Sequence, residues 1–212
     1  MSRSRREKHL HLSCWLKIII ITVVCALLGL RIYQVNKNVA IAPTESYPEG
    51  EYVEIGKNYF WSGVEDNTGY EVKVVSATFK KYADFVSEYG ETEDYLDEDY
   101  RPDFVIDLEV IVRNDNIDEE TGRGFDLVDM RIQSSNESFQ VHSRLFELLR
   151  PDLSGALNFR VRPGTEAAIH LPYTRSISMD GFESDERLFT KNYYLLLSMY
   201  PVKKIIELDI KH

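Results

Sequence analysis

Cysteine is nearly missing from this chain. Two occur in 212 residues, Cys14 and Cys25, and both lie near the start. Beyond them a disulfide framework, a cysteine-based zinc site and a cysteine nucleophile are all excluded. Special glycine patterns are missing too. No GxGxxG and no P-loop run occurs, so nucleotide binding through those loops has no support. No Gly-x-Ser-x-Gly marks a hydrolase nucleophile, and no HExxH marks a zinc enzyme. His142 and His170 are the only mid-chain histidines. His170 falls in an expected strand, where a packed or outward ring is the ordinary use. No segment repeats.

What is present first is a long apolar run, Trp15 to Leu30. No charge interrupts it from Ile18 onward. Counted from Trp15 to Tyr33, it forms roughly 28 Å of helix, close to the hydrocarbon thickness of a bilayer. Lys17 lies one turn inside and can snorkel to the headgroups. Trp15 and Tyr33 mark the two interfaces. Arg3, Arg5, Arg6, Lys8 and Lys17 precede or open the run, while only Arg31 and Lys37 follow closely. The positive-inside rule then places the N-terminus in the cytoplasm and the body of the chain outside. Two alternatives use the same residues. A cleaved signal peptide would end at Ala40 to Ala42, although that site lies far past the apolar run and Pro43 follows it. A lipid anchor would need small residues before a cysteine at the end of the run, whereas Cys25 follows Val23 and Val24 in its middle.

Charge divides at the same place. Residues 1–43 carry seven Lys/Arg and one Glu, net +6; the remainder carries 18 Lys/Arg and 34 Asp/Glu, net −16. A domain this acidic does not bind nucleic acid or anionic lipid through its general field. The chain therefore divides into a basic cytoplasmic tail (1–13), a transmembrane helix (14–33), a linker (34–50) and one extracytoplasmic domain (51–212). That domain is long enough for a real core.

The domain reads as short strands separated by turns. The clearest is Asp103 to Arg113, with Phe104, Ile106, Leu108, Val110 and Val112 on one face. The other face carries Val105, Asp107, Glu109, Ile111 and Arg113 and is expected to be mostly wet, as in antiparallel sheets. Further strands are expected at 51–55, 70–79, 125–133, 138–141, 157–162, 166–171, 193–200 and 204–210. Pro163 and Gly164 make a tight turn. Tyr82, Phe85, Val86 and Tyr89 have the spacing of a short amphipathic helix, and 144–149 is read as one or two helical turns. The expected fold is mainly β, a single antiparallel β-sandwich behind one N-terminal membrane helix.

Three stretches carry a resemblance. Residues 104–115 resemble the strand-then-Asn segment of small extracellular domains of unknown function from Gram-positive bacteria. Those domains are telokin-like or immunoglobulin-like sandwiches. Residues 159–173 resemble their Pro-Gly-then-strand segment, and Tyr193 to Ser198 their closing strand. The resemblance implies an immunoglobulin-like fold and an address at the cell envelope. It implies no catalytic residues.

Candidate chemistry is thin. The acidic stretch with Glu91, Glu93, Asp94, Asp97, Glu98 and Asp99 supplies hard oxygen ligands for Ca²⁺ but lacks the loop pattern of a calcium site. A solvated, partly disordered loop is the simpler use. Asn114, Asn116 and Asp118 have alternate spacing, yet Glu119 and Glu120 stand where the loop glycine belongs. Paired carboxylates of a glycan hydrolase arise by chance among so many acids. Aromatics are the better lead. Tyr59, Phe60 and Trp61, and the series Tyr82, Phe85, Tyr89, Tyr95 and Tyr100, can line a partner surface or simply fill a core. The expectation is a non-catalytic interaction module without cofactor or metal. The second series is its contact surface, and Trp15 to Tyr33 lies in the bilayer. An envelope hydrolase and an accessory subunit of a membrane complex are the alternatives.

Overall fold

The computed structural model describes residues 3–37, 42–63, 65–117, 124–135, 137–153, 156–175 and 191–211. It forms two compact units, Met1–Ile41 and Ala42–His212.

The first unit is one helix, α1 (Arg3–Lys37). Its segment Trp15–Lys37 is long and apolar enough to cross a membrane, as a signal sequence would also be. The expected tail and span are thus continuous helix, and the helix outlasts the expected end at Tyr33. Nothing in the sequence stops it: Gly29 is its only glycine and the first proline is Pro43.

The second unit is mainly β. Among the described residues ten strands share one sheet in the order β1-β11-β10-β6-β7-β9-β4-β3-β12, with β2 also on β3. They are β1 (Thr44–Tyr47), β2 (Val53–Gly56), β3 (Asn67–Lys81), β4 (Phe104–Asn114), β6 (Arg131–Gln133), β7 (Ser138–Val141), β9 (Thr165–Arg175), β10 (Tyr193–Ser198), β11 (Lys203–Leu208) and β12 (Ile210–Lys211). A separate small ribbon pairs β5 (Phe125–Asp126) with β8 (Asn158–Phe159).

This corrects the expected sandwich of two antiparallel sheets. The last two strands follow each other across Asp209 alone, yet β11 pairs β10 near one end of the order and β12 pairs β3 at the other. The sheet must curl until its ends meet, so the shape is nearly a barrel. Two pairings are parallel, β1 with β11 and β12 with β3. Boundaries shift accordingly. Thr44–Tyr47 falls in the expected linker but forms β1, because β11 offers it an edge. The expected strand 125–133 breaks into β5 and β6 around a turn, and 204–210 breaks at Asp209.

Burial follows the pleat with one flaw. In β3 the buried positions are Tyr70, Val72 and Val74, then Ala77 and Phe79. The parity changes because a bulge between Val74 and Ser76 leaves Val75 unpaired and exposed. The inner face of β4 fills the barrel with Ile106, Leu108, Val110 and Val112. Its outer face is not mostly wet. Helices α2 (Tyr82–Glu88) and α3 (Ser143–Leu149) accompany a second cluster, in which Tyr82, Phe85, Val86, Leu96 and Leu145 bury Val105.

The buried charge beside this cluster is neutralised in place. Asp107 is buried and takes Lys80 Nζ at 2.8 Å and His170 Nδ1 at 3.0 Å. Lys80 also holds Glu88 of α2 at 2.6 Å. Burial pushes the Lys80 ammonium down, but its hydrogen bonds to Asp107 and Glu88 outweigh that and hold it above its ordinary value. The Lys80 ammonium therefore stays charged, and its bonds to Asp107 and Glu88 pin α2 to the sheet.

The start of β3 packs at Gly69 against the turn that leaves β4, where the Asp115 N–H donates to Gly69 O at 2.8 Å. The Gly69 φ is +77°, and an added Cβ would lie 2.3 Å from Asn116 Oδ1. The Asn116 amide donates to Thr68 O at 2.8 Å and cannot withdraw freely. Gly69→Ala should cost about 2 kcal/mol or more. That is a fall of roughly 4–8 °C in melting temperature, read by circular dichroism on the full chain.

Candidate functional site

The expected contact residues do not form one patch. Tyr82 and Phe85 are core: both are buried, and the Leu96 N–H donates to Tyr82 Oη at 3.0 Å. Tyr89 caps α2 at the margin, its ring 5.3 Å from that of Phe85. Tyr95 is half-buried and donates from its hydroxyl to Arg144 O at 3.1 Å. Only Tyr100 stands well out, 72 % exposed. The helical spacing shared by Tyr82, Phe85 and Tyr89 is the spacing of a buried face.

The acidic stretch folds around one buried residue. Two tight turns, Glu93–Tyr95 and Glu98–Tyr100, flank buried Leu96, and Arg101 holds Leu96 O at 2.8 Å and Asp94 at 2.9 Å. Among the described residues no group of three or more His, Cys, Asp or Glu is placed to hold a metal ion. The second calcium candidate is a turn. Asn114 accepts from the Asn116 N–H at 3.0 Å and donates to Val161 O at 2.8 Å, while Asp115 pairs with Arg113. Asp118, Glu119 and Glu120 lie outside the described residues. His142 caps α3, its Nδ1 accepting from the Leu145 N–H at 3.3 Å, and burial holds its pKa down.

The aromatic trio leads to a real cavity. Tyr59 bridges to Tyr200 across the domain, and the loop that follows folds over one carboxylate. Glu65 accepts the backbone N–H groups of Phe60 and Trp61, each at 2.9 Å, and of Ser62 at 2.8 Å. Burial pushes the Glu65 carboxyl up, but the three donors outweigh it and leave it below its ordinary value. The loop thereby presents Trp61 outward, 74 % exposed. Trp61 is nevertheless tethered, its Nε1–H donating to Asp129 Oδ1 at 2.6 Å.

Beside it opens a cleft of about 360 Å³. Ile55, Phe60, Met130 and Leu197 form its apolar lining; Glu65, Asp66, Asp126 and Asp129 form its acidic lining. Asp66 and Asp126 each brace a turn, accepting from the Thr68 N–H at 3.1 Å and the Val128 N–H at 2.9 Å. Burial, with the Asp126 and Glu65 charges, pushes the Asp129 carboxyl up, against the Trp61 bond and the Arg131 charge. The carboxylates were not singled out from the sequence. Asp126 and Asp129 stand three apart, which in the expected strand puts them on opposite faces. The turn between β5 and β6 brings both to the cleft.

Residues 44–204, the span containing this cleft, match the family described as Domain of unknown function (DUF5028). The chain belongs to the DUF5028 family. No curated protein and no solved structure matches it. The DUF5028 match begins at the first residue of β1, so the family unit includes the strand that the expected linker had absorbed.

Two measurements separate framework from surface in this DUF5028 domain. Phe85→Ala should lose about 3–5 kcal/mol in urea unfolding, because it empties the α2 core. Tyr100→Ala should stay within about 0.5 kcal/mol of the wild type. Glu65→Gln should cost about 1–2 kcal/mol at neutral pH by weakening the three backbone bonds. A lowered folded pKa stabilises only where the carboxyl is ionised. The wild-type advantage should hold above the ordinary value of 4.5 and vanish as pH falls through the lowered one.

Proposed function

We propose that this protein is a membrane-anchored, extracytoplasmic binding module that recognises its ligand at the Trp61 cleft. The observation that carries this reading is a tryptophan held exposed by a loop clamp and tied through its indole N–H to Asp129, a residue that lines a cavity. Trp is the side chain that most often anchors binding energy, and a clamped one costs little entropy to use. The cavity lies at the small end of the ligand-site range. In this reading Trp15 to Tyr33 spans the bilayer, N-terminus inside, and the acidic domain works just outside. A cysteine-free domain of this kind suits the envelope of a Gram-positive cell. The module is non-catalytic.

One observation favours a second reading, an envelope hydrolase. Glu65 and Asp129 have environments that push their carboxyl groups in opposite directions, as acid–base pairs need. Against it, three backbone donors occupy both oxygens of Glu65, and the indole occupies one of Asp129. These groups are used to hold the loop.

Two experiments test the reading. A Tyr100→Cys variant on intact cells should react with a membrane-impermeant maleimide; labelling only after lysis overturns the orientation. A fragment set screened by ligand-observed NMR against the full chain should yield binders that Trp61→Ala loses while its melting temperature holds. If every binder ignores Trp61, the cleft is not the recognition site.

A further inference from the structure

The cleft has a chemical preference that can be derived. It combines an apolar wall from Ile55, Phe60, Met130 and Leu197 with an anionic side, and among the described residues no basic side chain lines it. An anionic or zwitterionic ligand would meet uncompensated repulsion there. A bare metal ion would meet too few convergent ligands, since no qualifying group exists among the described residues.

The oxygens narrow the choice further. Glu65 has both of its oxygens committed to backbone donors. Asp126 and Asp129 commit only Oδ1, to the Val128 N–H and the Trp61 indole. Among the described residues the Oδ2 atoms of these two aspartates accept no hydrogen bond. Asp129 is half-buried and Asp126 exposed, so the remaining oxygen of Asp129 is the more shielded of the two and favours an arriving cation the more. Phe60, in the same lining, adds an aromatic ring that attracts the same charge.

We propose that the cleft takes an organic ammonium ion carried on a short apolar or aromatic stem, an inference that rests on the cleft being the recognition site. The ammonium sits between Asp126 Oδ2 and Asp129 Oδ2, and the stem lies on the apolar wall. A volume of about 360 Å³ admits one ring or a short chain, not a folded polypeptide. The net −16 of the main domain draws such a cation in from solution. Burial, aided by Asp126 and Glu65, raises the Asp129 pKa against the Trp61 bond and the Arg131 charge, and a bound cation lowers it again.

Tryptophan makes the test direct, because the chain has only Trp15 and Trp61. In full-length Trp15→Phe in phosphatidylcholine nanodiscs, all tryptophan emission comes from Trp61. Phenethylammonium, the neutral isostere 2-phenylethanol, phenylacetate and calcium chloride are titrated in turn, with empty nanodiscs subtracted. The expected result is a saturable emission change with phenethylammonium alone. Asp129→Asn, which keeps an acceptor for the indole, should weaken it at least about tenfold, and Asp126→Asn should weaken it too. Asp99→Asn, on the exposed acidic turn, should leave it unchanged. Equal binding of 2-phenylethanol overturns the ammonium assignment and leaves the cleft as a binding site. Saturation by calcium overturns it in favour of a metal. If no probe saturates, the assignment fails, and Trp61-dependent fragments then decide separately whether the cleft binds anything.

Discussion

Closure of the sheet through one residue is the constraint on which the domain depends. β11 and β12 are a single run of chain broken only at Asp209, and they pair at opposite ends of the strand order. The crossing is braced from the side. The Asp209 N–H donates to Glu49 Oε1 at 2.9 Å, and the Gly50 N–H donates to Val74 O at 3.0 Å. Burial holds the Glu49 carboxyl above its ordinary value, against the Asp209 bond and the Lys211 charge that lower it. Without that seam the ends of the sheet would be two exposed ladders of unpaired backbone groups.

The cleft is a product of the same closure. Ile55 belongs to β2, which pairs with β3 at one end of the order, whereas Leu197 belongs to β10 near the other. They line one cavity only because the sheet curls. Trp61 and Asp129, 68 residues apart, meet for the same reason. The opposite, outer face of β3 and β4 is spent differently. There Asp107, Lys80 and Glu88 bind α2 to the sheet, and the aromatic residues of that helix become core. One aromatic series thus supports the framework and the other edges a cavity.

What was legible in the residues follows this division. Alternation located β3, β4, β7, β9 and β10, since the pleat places every second side chain on one face. Spacing located α2 and α3 for the same kind of reason. Tyr59, Phe60 and Trp61 were visible as an aromatic lead, but Tyr82 and Phe85 looked equally eligible. Periodicity reports that a face is apolar and is silent on whether protein or solvent covers it. The bulge at Val75 was invisible, because one unpaired residue leaves both flanking alternations intact. The acids of the cleft were hidden by their number, and by a turn at 127–129 inside what read as one strand.

By itself the sequence determined the apolar helix, the charge division at the end of it, the β class of the main domain and the alternation of its longest strands. Each depends on neighbours a few residues apart, which composition and period record directly. The tertiary structure alone decided that the strands form one nearly closed sheet rather than two facing ones. It also decided which aromatics were buried and which acids converged. Those outcomes rest on pairings between distant segments, such as β12 on β3 and Trp61 on Asp129. No local pattern encodes such a pairing, because its energy arises only when both partners have already been brought together.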